Sequence, residues 1–197
     1  MRRVDALSST TRRQTINKMN IVAPAKPATP NLPVGLDELL LIRDLEKFVT
    51  AECELLDGRE FEAWRDLFTE DGYYWVPSRI DQESPEDELS LFYDDREIMD
   101  LRFQRLRHPR VHAQIPYTRT THVAGNFVVN AADEATGEYA FACRFVMHEY
   151  RPEMAQRAFS GRCEYAVVRD GTSFKIRSKK VTVINCDDFH FPISIPF

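Results

Sequence analysis

The hydrophobic period of this sequence changes from that of a helix to that of a strand partway along the chain, and this change limits the possible folds most. Between Leu36 and Gly58, apolar residues recur every three or four positions, which predicts one amphipathic helix that ends at Gly58. From Tyr117 onward, apolar and polar residues alternate, as they do in half-buried strands. Helices followed by a long antiparallel meander predict an α+β fold, with the helices covering one face of the sheet.

Shorter elements are predicted between these two regions. Phe61, Trp64 and Phe68 share one face of a short second helix, which precedes an Asp71-Gly72 turn. The other predicted elements are a strand over 73–76, a loop over 78–88, a short strand over 89–93, a helix that starts near 94–97 and stops at Pro109, and strands over 118–130, 138–150, 158–169 and 174–185. Asp170-Gly171 is a preferred pair for the tight turn of the last hairpin.

Composition indicates one domain with reduced cysteines. The chain has 197 residues, of which 43% are hydrophobic, enough for one substantial core. Its four cysteines have no short spacings, so neither a disulfide framework nor a zinc knuckle is predicted. No apolar run approaches the ~18 to 20 residues of a membrane span, and no secretory signal is visible, so a cytoplasmic protein is expected.

The charge is divided unevenly along the chain. Residues 1–35 hold six basic side chains and one acidic one, which leaves 20 of the 26 basic and 30 of the 31 acidic residues in 36–197, a net charge of −10 there. A domain of that charge repels a phosphate backbone, so nucleic acid is not an expected partner.

Residues 1–35 are predicted to be a disordered tail, and residues 36–197 the folded domain. The tail has no aromatic residue and carries prolines at positions 24, 27, 30 and 33, so it cannot build a core. Its Arg-rich, acid-poor beginning also resembles an organelle transit peptide, while Met19 offers the alternative of a start codon assigned too far upstream.

Several motifs match a known family. They are Leu55-Leu56-Asp57, Phe61, Trp64, Leu67-Phe68-Thr69-Glu70-Asp71, Tyr74-Trp75-Val76-Pro77, Ser90-Leu91-Phe92-Tyr93-Asp94-Asp95-Arg96 and Arg119-Thr120-Thr121-His122-Val123-Ala124-Gly125-Asn126. Together they resemble the β (small) subunits of Rieske-type aromatic-ring-hydroxylating dioxygenases. The resemblance runs from about residue 40 to the end of the sequence, and segments 78–88 and 107–116 depart from it.

The resemblance implies a fold and a role. The fold would be the NTF2-like (cystatin-like) α+β cone, in which N-terminal helices pack on a long curved antiparallel sheet. The role would be that of a non-catalytic structural subunit in bacterial aromatic catabolism, which trimerises and assembles with three α subunits into an α3β3 hexamer. The α subunits would carry the Rieske [2Fe–2S] cluster and the mononuclear Fe(II). The 90–96 segment is similar to the benzoate-like branch, which favours an aromatic acid as substrate of the complex.

The sequence lacks the ligand patterns for this redox chemistry. A Rieske centre needs C-x-H and C-x-x-H pairs, and a mononuclear iron site needs two His and one carboxylate; neither pattern occurs. His108 and His112 have a helical metal-binding spacing, but Pro109 between them favours a loop. Asp187-Asp188-Phe189-His190 is interpreted as a polar turn before a docking tail, since no second His is near. No metal or cofactor is therefore expected in this chain.

An enzyme of the same fold is the main alternative. Asp57 could orient His122 as a general base while the Tyr74 hydroxyl polarises a carbonyl, as a dehydratase or isomerase requires. Under the structural interpretation, Asp57 pairs near a helix end, Tyr74 anchors an interface and His122 satisfies a backbone carbonyl or an acid. A small-ligand-binding or purely dimeric module is a third possibility.

Interface residues are predicted from charge and from strand alternation. Arg102, Arg105, Arg107 and Arg110 favour inter-subunit salt bridges, because arginine forks suit buried carboxylates. In the 73–76 strand, Tyr73 and Trp75 share one face and Tyr74 and Val76 the other, so one pair is expected in the core and the other at a subunit. The predicted interface residues are Tyr74, Trp75, Arg79, Arg102, Arg105, Arg119, Asp188 and His190.

Overall fold

A computed structural model describes residues 35–108 and 116–197, which form three helices and six strands. The helices are α1 (Leu36–Asp57), α2 (Phe61–Arg65) and α3 (Arg96–Arg107). The strands are β1 (Phe68–Pro77), β2 (Ser90–Asp95), β3 (Arg119–Asp133), β4 (Glu138–Tyr150), β5 (Arg157–Asp170) and β6 (Ser173–Val183). Most of these bounds agree with the predicted elements to within a few residues. Two predictions are wrong: Phe68 begins β1 and is not part of the second helix, and Asp71-Gly72 lies within β1 and is not a turn before it, because β1 already pairs with β6 at Phe68. The predicted tail lies outside the described residues, apart from Gly35.

All six strands form one sheet in the order β2-β1-β6-β5-β4-β3. Strands β3 to β6 are the predicted antiparallel meander, and β2 pairs antiparallel with β1. The β1–β6 pair is parallel, which the prediction of a wholly antiparallel sheet did not include. Alternation within a strand does not identify its neighbour, so this pairing depends on the tertiary fold.

Local signals account for the helix ends. The α1 helix stops at Gly58, whose N–H donates to the Glu54 carbonyl at 2.8 Å. The Asp95 carboxylate caps the start of α3 by accepting the Ile98 N–H at 2.9 Å. The helix ends at His108, which is extended, as the residue before a proline prefers to be.

The core lies between α1 and the sheet. The alternating face of β4 is buried as predicted, and the Phe141 ring stacks on Tyr165 of β5 with centroids 4.6 Å apart. The final residues of the sequence are also part of this core, because Ile195 and Phe197 are 0% and 2% exposed. The cysteines are free thiols, and burial raises the pKa of the Cys53 thiol to about 12.

Candidate functional site

A fully buried carboxylate lies at the centre of the helix–sheet interior. Glu52 of α1 accepts hydrogen bonds from Trp64 Nε1 at 2.9 Å and Lys179 Nζ at 2.7 Å on one oxygen, and from the Tyr165 hydroxyl at 2.8 Å on the other. Both oxygens are therefore satisfied, as a charge in so apolar a place requires.

Lys179 of β6 is the cation of this pair. Burial disfavours its ammonium form, but the charge and hydrogen bond of Glu52 act together with Cys163 and Cys53 to hold the pKa of Lys179 above its ordinary value. The ring centroids of Trp64, Tyr74 and Tyr165 lie 5.5 to 5.9 Å from Nζ and add cation–π attraction. The side chain is thus held as a charged donor in the interior.

A second acid–base pair joins the end of α1 to β3. Asp57 Oδ1 lies 2.6 Å from His122 Nδ1 and accepts the Thr120 hydroxyl at 2.8 Å, while Oδ2 accepts the His122 backbone N–H at 2.9 Å. Burial opposes ionisation of Asp57, but the hydrogen bonds from His122 and Thr120 hold the pKa of its carboxyl below the ordinary value. The structure therefore brings Asp57 and His122 together, in the geometry of a base and the acid that orients it.

The groups considered for catalysis converge on the last two residues of the sequence. His122 Nε2 lies 3.3 Å from the carbonyl oxygen of Pro196. The Phe197 N–H donates to the Tyr74 hydroxyl at 3.0 Å, and Lys179 Nζ donates to the main-chain oxygen of Phe197 at 2.7 Å. Burial raises the pKa of Tyr74 well above its ordinary value, so this hydroxyl stays neutral.

The Phe197 side chain fills the space beside these groups. Its ring centroid lies 6.3, 5.8 and 5.1 Å from those of Phe92, Phe145 and Phe159. Asp57, Tyr74 and His122 do not line the surface depression around Tyr117 and Arg119 or the one around Tyr73 and Asp95. A substrate would have to displace the chain's own residues to reach this acid–base pair.

Glu52, Lys179, Pro196 and Phe197 belong to the site, although no prediction named them. Glu52 lies between Val49 and Leu56 on the apolar face of α1. Lys179 lies on the buried face of β6, as Val181 does two positions later. The signal that could have identified the pair was one charged residue on each of two faces that are otherwise apolar, one in α1 and one in β6. Nothing local could indicate that the residues at 196 and 197 return to the interior.

The expected interface role of Tyr74 and Trp75 is corrected by their burial. Their side chains are 0% and 1% exposed, so they pack inside the chain and not on a surface that a second subunit could contact. The Trp75 Nε1 donates to Ser90 Oγ at 3.0 Å, and Lys180 Nζ lies 4.2 Å from the Trp75 ring centroid on the face opposite to the core. Alternation had left open which pair of this strand packs the core, and the structure places Tyr74 and Val76 there.

Several of the predicted interface arginines pair within the chain. Arg102 binds Asp94 with two hydrogen bonds of 2.6 and 2.8 Å, Arg107 binds Glu62, and Arg79 binds Asp81 and Glu88. The expected inter-subunit bridges of Arg102 and Arg107 are thus replaced by intrachain ones, since the carboxylates lie close in the fold. Arg105 and Arg119 are exposed, with Arg119 5.0 Å from the Tyr150 ring centroid, and Arg110 lies outside the described residues.

The two chelator-like clusters can be compared with the structure only in part. The Asp188 carboxylate accepts the Phe189 N–H at 2.7 Å and His190 Nε2 lies 2.8 Å from the Asn185 carbonyl, as in a polar turn. His112 lies outside the described residues. Within residues 35–108 and 116–197, no group of three or more His, Cys, Asp or Glu side chains is arranged to hold a metal, and no helix is both long and apolar enough to cross a membrane.

Comparisons with known proteins identify the family. A family model described as "Ring hydroxylating beta subunit" matches residues 51–187. The chain is 26% identical to the β subunit of benzoate 1,2-dioxygenase from Acinetobacter baylyi over 156 residues, which is 77% of this chain and 90% of that one. It is 33% identical over 140 residues to the small oxygenase component of the p-cumate 2,3-dioxygenase system of Pseudomonas putida, covering 70% of this chain and 76% of the relative.

A solved structure confirms the α+β NTF2-like cone. The benzoate 1,2-dioxygenase β subunit of Burkholderia mallei superposes with a TM-score of 0.60 and 27% identity, covering 79% of this chain and 94% of that one. The motifs that resembled this group fall largely within the matched residues. The chain therefore belongs to the family of ring-hydroxylating β subunits, the small subunits of aromatic-ring-hydroxylating dioxygenases.

Proposed function

We propose that this chain is a non-catalytic scaffold for the α subunits of an aromatic-ring-hydroxylating dioxygenase. It forms a trimer of its own copies and binds three α subunits in an α3β3 complex. The α subunits carry the Rieske [2Fe–2S] cluster and the mononuclear Fe(II), and this chain holds neither. We place the complex in the cytoplasm, where free thiols such as those of this chain stay reduced.

The observation that carries this proposal is the occupied interior. Asp57, Tyr74 and His122 could form an acid–base site, but Tyr74 and His122 contact Phe197 and Pro196. The same space would have to receive the substrate of a free-standing dehydratase or isomerase. Within the described residues, no buried side-chain polar atom lacks a hydrogen-bond partner, which is typical of a packed core.

The outer surface has apolar side chains suited to subunit contacts. Val123 of β3 and Val146 of β4 are register partners and are 64% and 42% exposed. Phe189 and Phe191 are 79% and 63% exposed, with ring centroids 5.4 Å apart. Exposed apolar groups of this kind mark interfaces in assembled proteins. We assign the exposed polar residues Arg79, Arg105, Arg119 and Asp188, and the half-buried His190, to the rims of these interfaces.

We further propose an aromatic acid as the substrate of the complex. The named relatives above include subunits of benzoate and p-cumate dioxygenases, whose substrates are aromatic carboxylates. The 90–96 segment, which includes β2 and the cap of α3, supports the same assignment through its similarity to the benzoate-like branch.

Co-expression tests the scaffold. The full chain should be produced together with a candidate large subunit that contains C-x-H and C-x-x-H motifs. We expect light scattering to give the mass of about six chains, because closed symmetric assemblies cover the exposed apolar faces. Iron–sulfur absorbance should appear in the complex and not in this chain alone. A chain that stays monomeric beside its large subunit, or that catalyses a dehydration by itself, contradicts the proposal.

A further inference from the structure

Residues 196 and 197 lie in the interior as a bound ligand would. Three of their main-chain polar atoms each meet a different strand: the Pro196 carbonyl faces His122 of β3 at 3.3 Å, and the Phe197 N–H donates to Tyr74 of β1 at 3.0 Å. The Phe197 oxygen accepts from Lys179 of β6 at 2.7 Å. Each of these three atoms is therefore matched by a different side chain.

The matching side chains are buried and held in place. The side chains of His122 and Lys179 are each 3% exposed, and the residue Tyr74 is 0% exposed. Asp57 binds the far nitrogen of the His122 ring at 2.6 Å, and Glu52 binds the Lys179 ammonium at 2.7 Å. Both carboxylates belong to α1, so one helix fixes the orientation of two of the three recognition groups.

The Phe197 ring occupies a pocket made of aromatic side chains. Phe92 of β2, Phe145 of β4 and Phe159 of β5 contribute rings at 5.1 to 6.3 Å, two of them tilted and one edge-on. A phenyl group fits such surroundings well, because the rings meet edge to face or at a tilt and not in a flat stack.

We propose that the interior is a recognition site for an N-acylated aromatic amino acid, occupied in cis by Pro196 and Phe197. His122 takes the acyl carbonyl, Tyr74 the amide N–H, Lys179 the oxygen that follows the aromatic residue, and the three phenylalanines the ring. The site thus accepts the same chemical group from outside when the chain's own residues are absent. This inference concerns the single subunit and does not depend on the proposed role in a complex.

The direct test removes the internal occupant. A variant that lacks residues 196 and 197 should bind N-acetyl-L-phenylalanine, which has an acyl carbonyl, an amide, a phenyl ring and a carboxylate in the required order. We expect a Kd on the order of 1 mM by calorimetry, as suits a ligand of that size, and a saturable rise in melting temperature. The intact chain, with its site filled, should bind the compound at least about tenfold more weakly, because it must first release Phe197.

Two related compounds serve as matched probes. N-acetyl-D-phenylalanine presents the same groups with the wrong hand, and N-acetyl-L-alanine lacks the ring. The proposal is overturned if the folded, truncated variant binds none of the three compounds. It is also overturned if that variant binds all three with equal affinity.

A second test uses the intact chain, so it remains decisive if the truncated variant does not fold. Tyr74→Phe keeps the ring but removes the acceptor of the Phe197 N–H, and we expect hydrogen exchange in residues 193–197 to become about tenfold faster. Tyr73→Phe, one position away on the other face of β1, should leave that exchange unchanged. The proposed site is contradicted if residues 193–197 exchange at the same rate in both variants and in the parent. It is also contradicted if Tyr74→Phe makes exchange faster across the whole sheet.

Discussion

At the scale of single residues, the interior contains an ion pair at positions where the surrounding pattern is apolar. Glu52 and Lys179 are 0% and 3% exposed and bind each other at 2.7 Å. A buried pair adds little net stability compared with apolar residues of the same size, yet losing one partner is costly, because the other charge is then left alone in a low dielectric.

Lys179→Met should therefore lower the free energy of unfolding by about 3 to 5 kcal/mol. Urea denaturation measures this change. The matched control is Lys180→Met, whose side chain is half-buried and lies over the Trp75 ring, and which should cost about 1 kcal/mol or less. Adding Glu52→Gln to Lys179→Met should restore part of the lost free energy of unfolding, since no unpaired charge remains. A double variant less stable than Lys179→Met would argue against the pair.

The Asp57 carboxyl makes a pH-dependent contribution. Its pKa in the folded chain lies below the ordinary value of 3.8, so the folded state favours the ionised form. The resulting stability is fully present above pH 3.8 and is lost as the pH falls through the lower, folded-state pKa.

Asp57→Asn should remove this contribution. At neutral pH, we expect the variant to be less stable by about 1 to 3 kcal/mol, because hydrogen bonds from His122 and Thr120 lose a charged acceptor. The difference between the two proteins should shrink as the pH falls through the lowered, folded-state pKa of Asp57, below which the wild-type carboxyl is also neutral. Denaturation curves at pH 7, 5 and 3 give the comparison, and a difference that grows toward acid pH would contradict the assignment.

At the scale of elements, the two ends of the sequence differ in what they can bury. Residues 195–197 are short, yet they place Ile195 and Phe197 in the core. Residues 1–34 form a segment more than ten times as long and contain no aromatic side chain. Composition therefore predicts that the longer segment contributes little burial.

Deleting residues 1–34 should change the melting temperature by less than about 3 °C, since we propose that this segment contributes little burial. The contrasting variant is Phe197→Ala, which removes a buried ring and should cost about 3 to 5 kcal/mol. Calorimetry on both proteins separates the two cases. A fall of many degrees in the first variant would show that the domain begins before residue 35.

At the scale of the whole molecule, family membership and the filled interior lead to the same role. The β-subunit family is defined by its place in dioxygenases, and the acid–base groups of this chain are bound to its own residues. In the proposed complex, the chemistry then belongs to the α subunit, and this chain affects activity through assembly.

His122→Ala should consequently leave the activity of each assembled complex within about threefold of the parent, after gel filtration has removed dissociated chains. Total activity should fall only as far as the amount of complex falls. A loss of a general base costs roughly 10²- to 10⁴-fold, so the two outcomes are well separated. A hundredfold loss in intact complexes would mean that this chain takes part in catalysis.

The sequence by itself determined the elements and the family. Helical period, strand alternation and turn residues are local, so α1, the cap of α3, the buried face of β4 and the Asp170-Gly171 hairpin could be predicted from neighbouring residues. The motifs between residues 55 and 126 carried enough side-chain detail to indicate the β-subunit family.

Only the tertiary structure decided which distant groups meet. The parallel β1–β6 pairing, the Glu52–Lys179 pair and the return of Phe197 to Tyr74 join residues separated by about a hundred positions or more. The sequence indicated that Asp57 and His122 could act as an acid–base pair. It did not indicate that His122 contacts Pro196, which fills the site. Local periodicity predicts which face of an element is buried, but it does not predict which residues pack against that face. Those residues depend on the packing of the whole chain.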